Sequence, residues 1–459
     1  MKNIKLKISL NGLFPQIWRR IVVPSGITLS EFSDIIQIVM GWTNSHLFIM
    51  ELASMKFVHA PDWEEDAVNF QNAELAILDE IIPKFVSVGE SFSYIYDMGD
   101  GWIHDILVES VEESGKNAGL AHCISGERSC PPENIGGIPG YQELLDRLSD
   151  QRTQRINEFS VENGYSFDPN NFNKEEVNRR LEDYNLLLQI PTTSYWNREF
   201  YFYAVPQFFS SDWSQQLSEQ NSQYAEFLPF RRDVVTLLTY LQNNKVKGTK
   251  ALGNFPRKHI RNLTAGFIDP PVLDIQIDEQ IWKLQSEDDV PELVFMHVFL
   301  NSAGLIIGAE NVDWFVSNLG ESFLILEPKN QIWFMASYWI FLFNWNFCYL
   351  YSDESLSVNY YLFQNRLMRL VLDYPLNIPI KIDQLIQDLD KVLPDWFQGG
   401  DFADKRRYIL DVVIKPFGKL GLFDTSKNRA YEFPRYKNFE NIIFTEFGSS
   451  LIASLINYH

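Results

Sequence analysis

From Asn330 to Ser352 the chain carries no charged side chain and is crowded with aromatics (IWFMASYWIFLFNWNFCYLY). A run of that kind has to be taken out of water. Its length would reach across a bilayer. Against a membrane span, Ser337, Asn344 and Asn346 interrupt it, three tryptophans are scattered through it, and no basic flank sets an orientation. It reads as a buried central helix of a water-soluble domain, and no membrane association is expected. With 459 residues, 46% of them hydrophobic and 22% charged, the chain has the composition of packed globular protein and room for about three domains.

The first residues, MKNIKLKISLNG, alternate apolar and polar and read as a strand, not as a signal peptide. Three cysteines cannot make a disulfide framework. Together these features point to a cytoplasmic protein. The formal charge is −21, and residues 51–150 hold 5 basic against 20 acidic side chains. Such a chain is repelled on average from phosphate backbones and anionic lipid. Its acidic stretch suits either solubility or an acidic docking face for a basic protein partner.

Ile4, Leu6, Ile8 and Leu10 have the period of a half-buried strand, and IWRRIVVP (17–24) supplies a second. Thr28 or Ser30 can cap a helix running through Met40, with Leu29, Phe32, Ile35, Ile36 and Val39 on one face and Gly41 ending it. HLFIMEL and KFVHA suggest a hairpin, and an acidic loop with a short helix (about 73–82) follows. FSYIY and WIHDILVE, joined by DMGDG, suggest a second hairpin. Further helices are expected from Tyr141 to Asp150 and across NFNKEEVNRRLEDYNLLL. Strands and helices mix without regular alternation, which predicts an α+β domain over 1–190.

Residues 191–459 read as mainly α, with two segments (roughly 286–350 and 400–459) sharing one pattern. Each has an amphipathic helix, Gly-Leu opening an extended run (Gly304-Leu305, Gly421-Leu422), and a second extended run. Each then has Ser or Thr three residues before Gly (Ser317 and Gly320, Thr445 and Gly448) and a closing helix. Helix, hairpin, helix is the order of a winged-helix-like module. Such modules bind DNA or dock proteins, and the basic cluster Arg257, Lys258, His259 and Arg261 is the candidate DNA contact.

Five motifs stand in one order in the front part: PQIWRRIVVP (15–24), GWTNSHLF (41–48), YDMGDGWIHDILVE (96–109), CISGERSCPPENIGGIPGY (123–141) and FDPNNFNKEEVNRRL (167–181). On these motifs the region from about 3 to 185 resembles the plasmid pRi open-reading-frame-three-like family, met also as insertion-sequence passenger proteins. The resemblance implies a compact α+β domain and an association with mobile elements, and it implies no assigned catalytic activity. Where that family commonly has Leu-His at the start of the first helix, this chain has Glu31-Phe32. No histidine site carries over there.

Several constellations could carry chemistry. Asp97 and Asp100 bracket the turn before the strand bearing Trp102 and His104. Converging on a divalent metal or a water, Asp97, Asp100 and His104 would form a catalytic centre; held by their own backbone or buried, they are scaffolding. His104, His122, Cys123 and Cys130 are the candidate metal ligands, although the spacing lacks a second ligand pair. Arg19 and Arg20 must point to opposite faces of their strand, one pairing with an acid and the other reaching solvent or a ligand. Arg19 and Trp102 are the candidate ligand or partner contacts of this module. Gly136-Gly137 lacks the features of a phosphate loop. The combined reading is a mobile-element-associated, non-enzymatic protein-interaction module with no cofactor firmly implied. The alternatives are a metal-dependent hydrolase acting on phosphoesters and a DNA-binding regulator working through the C-terminal half.

Overall fold

The alternation at the N-terminus becomes β1 (Lys2–Leu10), with Ile4, Leu6 and Ile8 buried and Lys5 and Lys7 on the wetter face. The computed structural model describes residues 2–42, 44, 46–52, 55–59, 74–75, 86–113, 120–149, 167–188, 219–277, 280–343, 360–394, 396–397, 401–424 and 440–458. The expected acidic loop and short helix near 73–82 lie outside them, apart from Glu74 and Leu75, which form a strand.

Seven further strands join β1: β2 (Trp18–Pro24), β3 (Phe48–Leu52), β4 (Met55–His59), β5 (Glu74–Leu75), β6 (Ser91–Tyr96), β7 (Trp102–Glu113) and β8 (His122–Glu127). Their order is β5-β4-β3-β6-β7-β1-β2-β8, antiparallel throughout except between β4 and β5. The α+β expectation for the front module is met. α1 (Leu29–Met40) starts on a Thr28–Glu31 capping box and ends at Gly41, whose φ of 97° suits a residue without Cβ. It packs on the sheet through the Tyr94 hydroxyl, which bonds Ser33 Oγ at 3.0 Å and accepts from Gln37 Nε2 at 2.8 Å. α2 (Gly137–Ser149) begins four residues before the expected Tyr141. α3 (Lys174–Leu187) is capped by Asn173 and lies on α1, its Tyr184 hydroxyl donating to Asp34 at 3.0 Å.

α3 also closes the sheet's open edge. Asn178 exchanges two hydrogen bonds with the Cys123 main chain, and Asn185 exchanges two with Ala121. Amide side chains thus occupy backbone groups of β8 and its lead-in that would otherwise invite another strand.

The helical half begins with α4 (Glu219–Phe227), α5 (Pro229–Asn243), β9 (Val246–Lys247) and α6 (Arg257–Thr264). A small hairpin, β10 (Ile275–Ile277) and β11 (Gln280–Trp282), precedes α7 (Pro291–Ser302). Next come β12 (Ile306–Ile307), β13 (Asp313–Val316), α8 (Asn318–Leu324) and α9 (Pro328–Ser337). The last part contains α10 (Tyr360–Leu372), β14 (Pro379–Lys381), α11 (Ile382–Val392), α12 (Phe402–Tyr408), α13 (Lys415–Lys419), β15 (Phe423–Asp424), β16 (Asn441–Phe444) and α14 (Glu446–Tyr458). Two three-stranded sheets result, ordered β12-β13-β9 and β14-β16-β15. The first and third strands in chain order are neighbours in both.

The Ser/Thr-x-x-Gly turns of the two segments match in individual hydrogen bonds. Ser317 Oγ accepts from Gly320 N at 2.9 Å and donates to Gly304 O at 2.6 Å. Thr445 Oγ1 accepts from Gly448 N at 2.8 Å and donates to Gly421 O at 3.0 Å. A Cβ on Gly320 would lie 2.2 Å from Leu305 O, and one on Gly448 would lie 2.3 Å from Leu422 O. Neither main chain can yield by that much. Gly320→Ala and Gly448→Ala are each expected to cost about 2–4 kcal/mol, through strain on a buried hairpin. Urea denaturation would show it, and a loss below about 1 kcal/mol in both would refute the close approach.

The uncharged run packs through α9 and a short π-helical stretch (Tyr338–Leu342), with Trp333, Phe334, Met335 and Trp339 buried. No helix among the described residues is long and apolar enough to cross a membrane, and residues 344–352 of the run lie outside them. One apolar core runs from Ala225 to Leu455, and the Trp339 indole donates to Val412 O at 3.1 Å inside it. The front module's core takes in Ile307 and Ala309 of the helical half. At that junction both Asp183 carboxylate oxygens accept main-chain N–H groups, from Asn318 at 2.9 Å and Leu319 at 3.2 Å. Arg179 donates to Ser322 Oγ at 2.6 Å.

Candidate functional site

A cavity of about 370 Å³ opens in the front module between the end of α1, the loop after β8 and the start of α3. Arg19 forms its floor. Strand alternation sends Arg20 to the wet face, where it grips Glu109 at 2.8 Å, and sends Arg19 inward, where only 2% of it stays exposed. Arg19 Nε donates to Val39 O at 2.8 Å, Nη1 to Trp18 O at 2.8 Å and Glu127 O at 2.9 Å, and Nη2 to Arg128 O at 2.8 Å. Among the described residues no carboxylate pairs with it. Burial therefore pulls its pKa below the ordinary arginine value.

The guanidinium stacks 4.1 Å from the Phe172 ring centre. Gly126 makes room for this stack, since a Cβ there would stand 2.7 Å from Phe172. Arg180 also lines the cavity and donates to Ile38 O at 3.4 Å. Both arginines thus face the last carbonyls of α1, a helix with no basic residue in its own last turn. Trp42 closes another side, stacked on Tyr96 at 4.9 Å and donating to Pro131 O at 3.0 Å. Tyr96 in turn donates to Glu133 on the rim at 2.7 Å.

The residues singled out in the sequence are not gathered at one point. Asp97 adopts φ of 56° and its Oδ1 accepts from Gly99 N at 2.9 Å and Asp100 N at 3.3 Å, the ordinary work of an aspartate in a turn. Asp100 accepts from Gly136 N at 3.2 Å. His104 is fully buried behind Trp42, its Nδ1 on Tyr94 O at 3.1 Å, and burial pushes its imidazole down to about 4. The proposed convergence of Asp97, Asp100 and His104 is corrected accordingly: the turn holds the aspartates while the pleat turns the histidine into the core. Trp102 is core as well, 1% exposed, and cannot meet a partner at the surface.

His122, Cys123 and Cys130 fare similarly as metal ligands. The His122 ring faces its own Leu120 carbonyl, and Cys123 is buried with its thiol on Arg20 O and Ser125 O, pushed up to about 11 by burial. Cys130 lines the cavity, and burial raises its thiol further. No group of three or more His, Cys, Asp or Glu among the described residues could hold an ion, so these side chains do not fit a metal. In the helical half, Arg257 and Lys258 are exposed on α6, whereas Arg261 is tied to Asp274 at 2.7 Å.

Trp42, Phe172 and Arg180 are the site residues that sequence reasoning passed over, although a signal was present. Four of the five motifs quoted above supply nearly all of the lining: Arg19; Gly41 and Trp42; Ser129 to Glu133; and Phe167 to Arg180. The remaining motif, 96–109, supplies none of the lining, only Tyr96 stacked on Trp42.

An eight-stranded, almost wholly antiparallel sheet covered by helices, with a motif-lined cavity beside its edge strand, defines the class of the front module. The family model described as plasmid pRiA4b ORF-3-like protein matches residues 2–176. An uncharacterized protein of Sinorhizobium fredii, y4hQ, is 32% identical over 184 residues, covering 39% of this chain and 91% of that protein. The chain belongs to the plasmid pRiA4b ORF-3-like family. A solved protein of unknown function from Methanosarcina mazei is similar at 30% identity over 38% of this chain and 97% of its own, with a TM-score of 0.31.

Proposed function

We propose that the chain is a non-enzymatic binding protein of the cytoplasm, associated with mobile elements. Its front module (1–190) receives a group of a protein partner in the Arg19 cavity, and its helical half (191–459) serves as a docking platform. The observation that carries this reading is the meeting of the motif segments at one cavity. A concave site with aromatic walls and a few fixed polar groups is built for binding. The Cys130 thiol in its wall is held protonated by burial, which favours recognition over nucleophilic chemistry. The acidity of 51–150 suits a partner that is basic overall.

In this reading the two repeated units are winged-helix modules, supported by their shared strand order and matching Ser/Thr–Gly turns. Docking is favoured over DNA binding because α7, which precedes the first hairpin, carries no lysine or arginine. In the second unit Lys405 and Arg406 are paired with Asp390 and Asp383.

A photo-cross-linking residue at Asn171, on the cavity's exposed rim, should capture one discrete host protein. The same residue at Lys250 should not, and Val177→Trp, which fills the cavity, should abolish capture. Identical labelling from both positions, unaffected by Val177→Trp, would refute the reading.

A further inference from the structure

We infer that the cavity recognises a carboxylate carried on an apolar body. The inference rests on the reading that this cavity is the receiving site and adds the chemistry of what it receives.

Arg19 has five N–H groups, and four are fixed by the carbonyls of Val39, Trp18, Glu127 and Arg128. One N–H on Nη2 remains. The cation is immobile, stripped of water and without an acidic partner among the described residues, and it forms part of the cavity wall. A buried arginine whose charge is balanced only by carbonyl dipoles favours an incoming anion more strongly than an exposed one does. Arg180 adds a second positive charge to the wall.

The acids in the wall do not take this place. Glu133 accepts the Tyr96 hydroxyl, Asp168 accepts from Asn170 N at 2.9 Å, and Glu176 pairs with Arg179 at 2.9 Å. Their charges nevertheless bear on what can enter. With Glu176 offset by Arg179, two carboxylates stand against the two guanidiniums of the wall, so a phosphate dianion would leave excess negative charge beside Glu133 and Asp168, whereas a singly charged carboxylate needs only the one spare donor and the field of Arg19. Beside it Phe167, Phe172 and Val177 offer apolar surface. A volume near 370 Å³ falls at the lower end of small-ligand sites, about 300–1,000 Å³. A carboxylate on an aromatic or branched aliphatic body fits, whether it comes from a chain terminus or from an acidic side chain beside an apolar one.

Titration calorimetry on the full chain tests this with three probes: acetyl-Ala-Ala-Phe with a free carboxylate, the same peptide as its amide, and acetyl-Ala-Phe-Glu-Ala amide. At least one acidic peptide should bind at least about tenfold more tightly than the neutral amide, a difference of about 1.4 kcal/mol. Which one binds identifies the source of the carboxylate. Arg19 substitutions threaten folding, so Arg180→Gln and Val177→Trp are the variants of choice; the first should weaken the acidic peptide alone and the second should remove all binding. Equal binding of acid and amide, or binding that survives Val177→Trp, overturns the proposal. Failure of every peptide while the Asn171 cross-link persists overturns the carboxylate assignment alone, and loss of both removes the receiving site itself.

Discussion

Arg19→Met should destabilise the front module by about 3–5 kcal/mol, enough to unfold a marginal domain at 37 °C. The methionine fills similar space, so lost packing is the smaller contribution. The larger one comes from the carbonyls of Val39, Trp18, Glu127 and Arg128, which all give up a charged donor, that of Val39 in a fully buried place. These four carbonyls belong to α1, β2, β8 and the loop beyond β8, so the guanidinium ties three parts of the fold together. Lysine is not expected to rescue, because one ammonium cannot reach in three directions from a short approach. Its neighbour gives the control. Arg20 is half-exposed and paired with Glu109, and Arg20→Met should cost at most about 1 kcal/mol. Chemical denaturation of the two variants decides the matter, and similar midpoints would show that Arg19 is not held as described.

The second large effect is a pH dependence set by His104. Burial holds its imidazole at about 4 in the folded chain, while an unfolded histidine titrates near 6.5. The folded value is the lower one, so the stabilising contribution is complete above about 6.5 and is lost as pH falls toward 4. The loss amounts to about 3 kcal/mol. Asp183 acts in the opposite sense. Burial at the junction raises its carboxyl to about 6, so protonation favours the folded form, and its contribution is present at low pH and lost as pH rises through 6. The two oppose each other between pH 4 and 6, and His104→Phe separates them. That variant should lose a roughly constant 1 kcal/mol at neutral pH with the bond to Tyr94 O. Its acid limb should flatten or turn upward toward pH 4. An acid limb identical to that of the parent chain would show that His104 does not titrate between the two states.

Much of the fold was legible because local rules and tertiary packing agree. The apolar alternation in β1, the Thr28–Glu31 box and Gly41 around α1, and the turn at Met98-Gly99 all describe short stretches of chain. The matched Gly-Leu and Ser/Thr-x-x-Gly patterns were legible for a sharper reason. Gly320 and Gly448 each lie against a backbone oxygen that admits no side chain, and Gly304 and Gly421 adopt positive φ of 70° and 77°. The cavity was not legible in this way. Arg19, Trp42, Cys130 and Phe172 come from four separated segments, and no periodicity announces that they meet. Residue types also misled where the spacing seemed most suggestive. Asp97, Asp100 and His104 are near neighbours in sequence, yet a two-residue pleat is enough to put the histidine under Trp42 and leave the aspartates in the turn.

α3 is where these features come together. Along one side Glu176, Val177 and Arg180 wall the cavity, and along another Arg179 and Asp183 hold the start of α8. The two sets alternate within about two helical turns of the same rod. A guest that displaced Val177 would therefore push on the same helix whose other face is hydrogen-bonded to Asn318, Leu319 and Ser322, so binding at the cavity and the seating of α8 are read through a single rod.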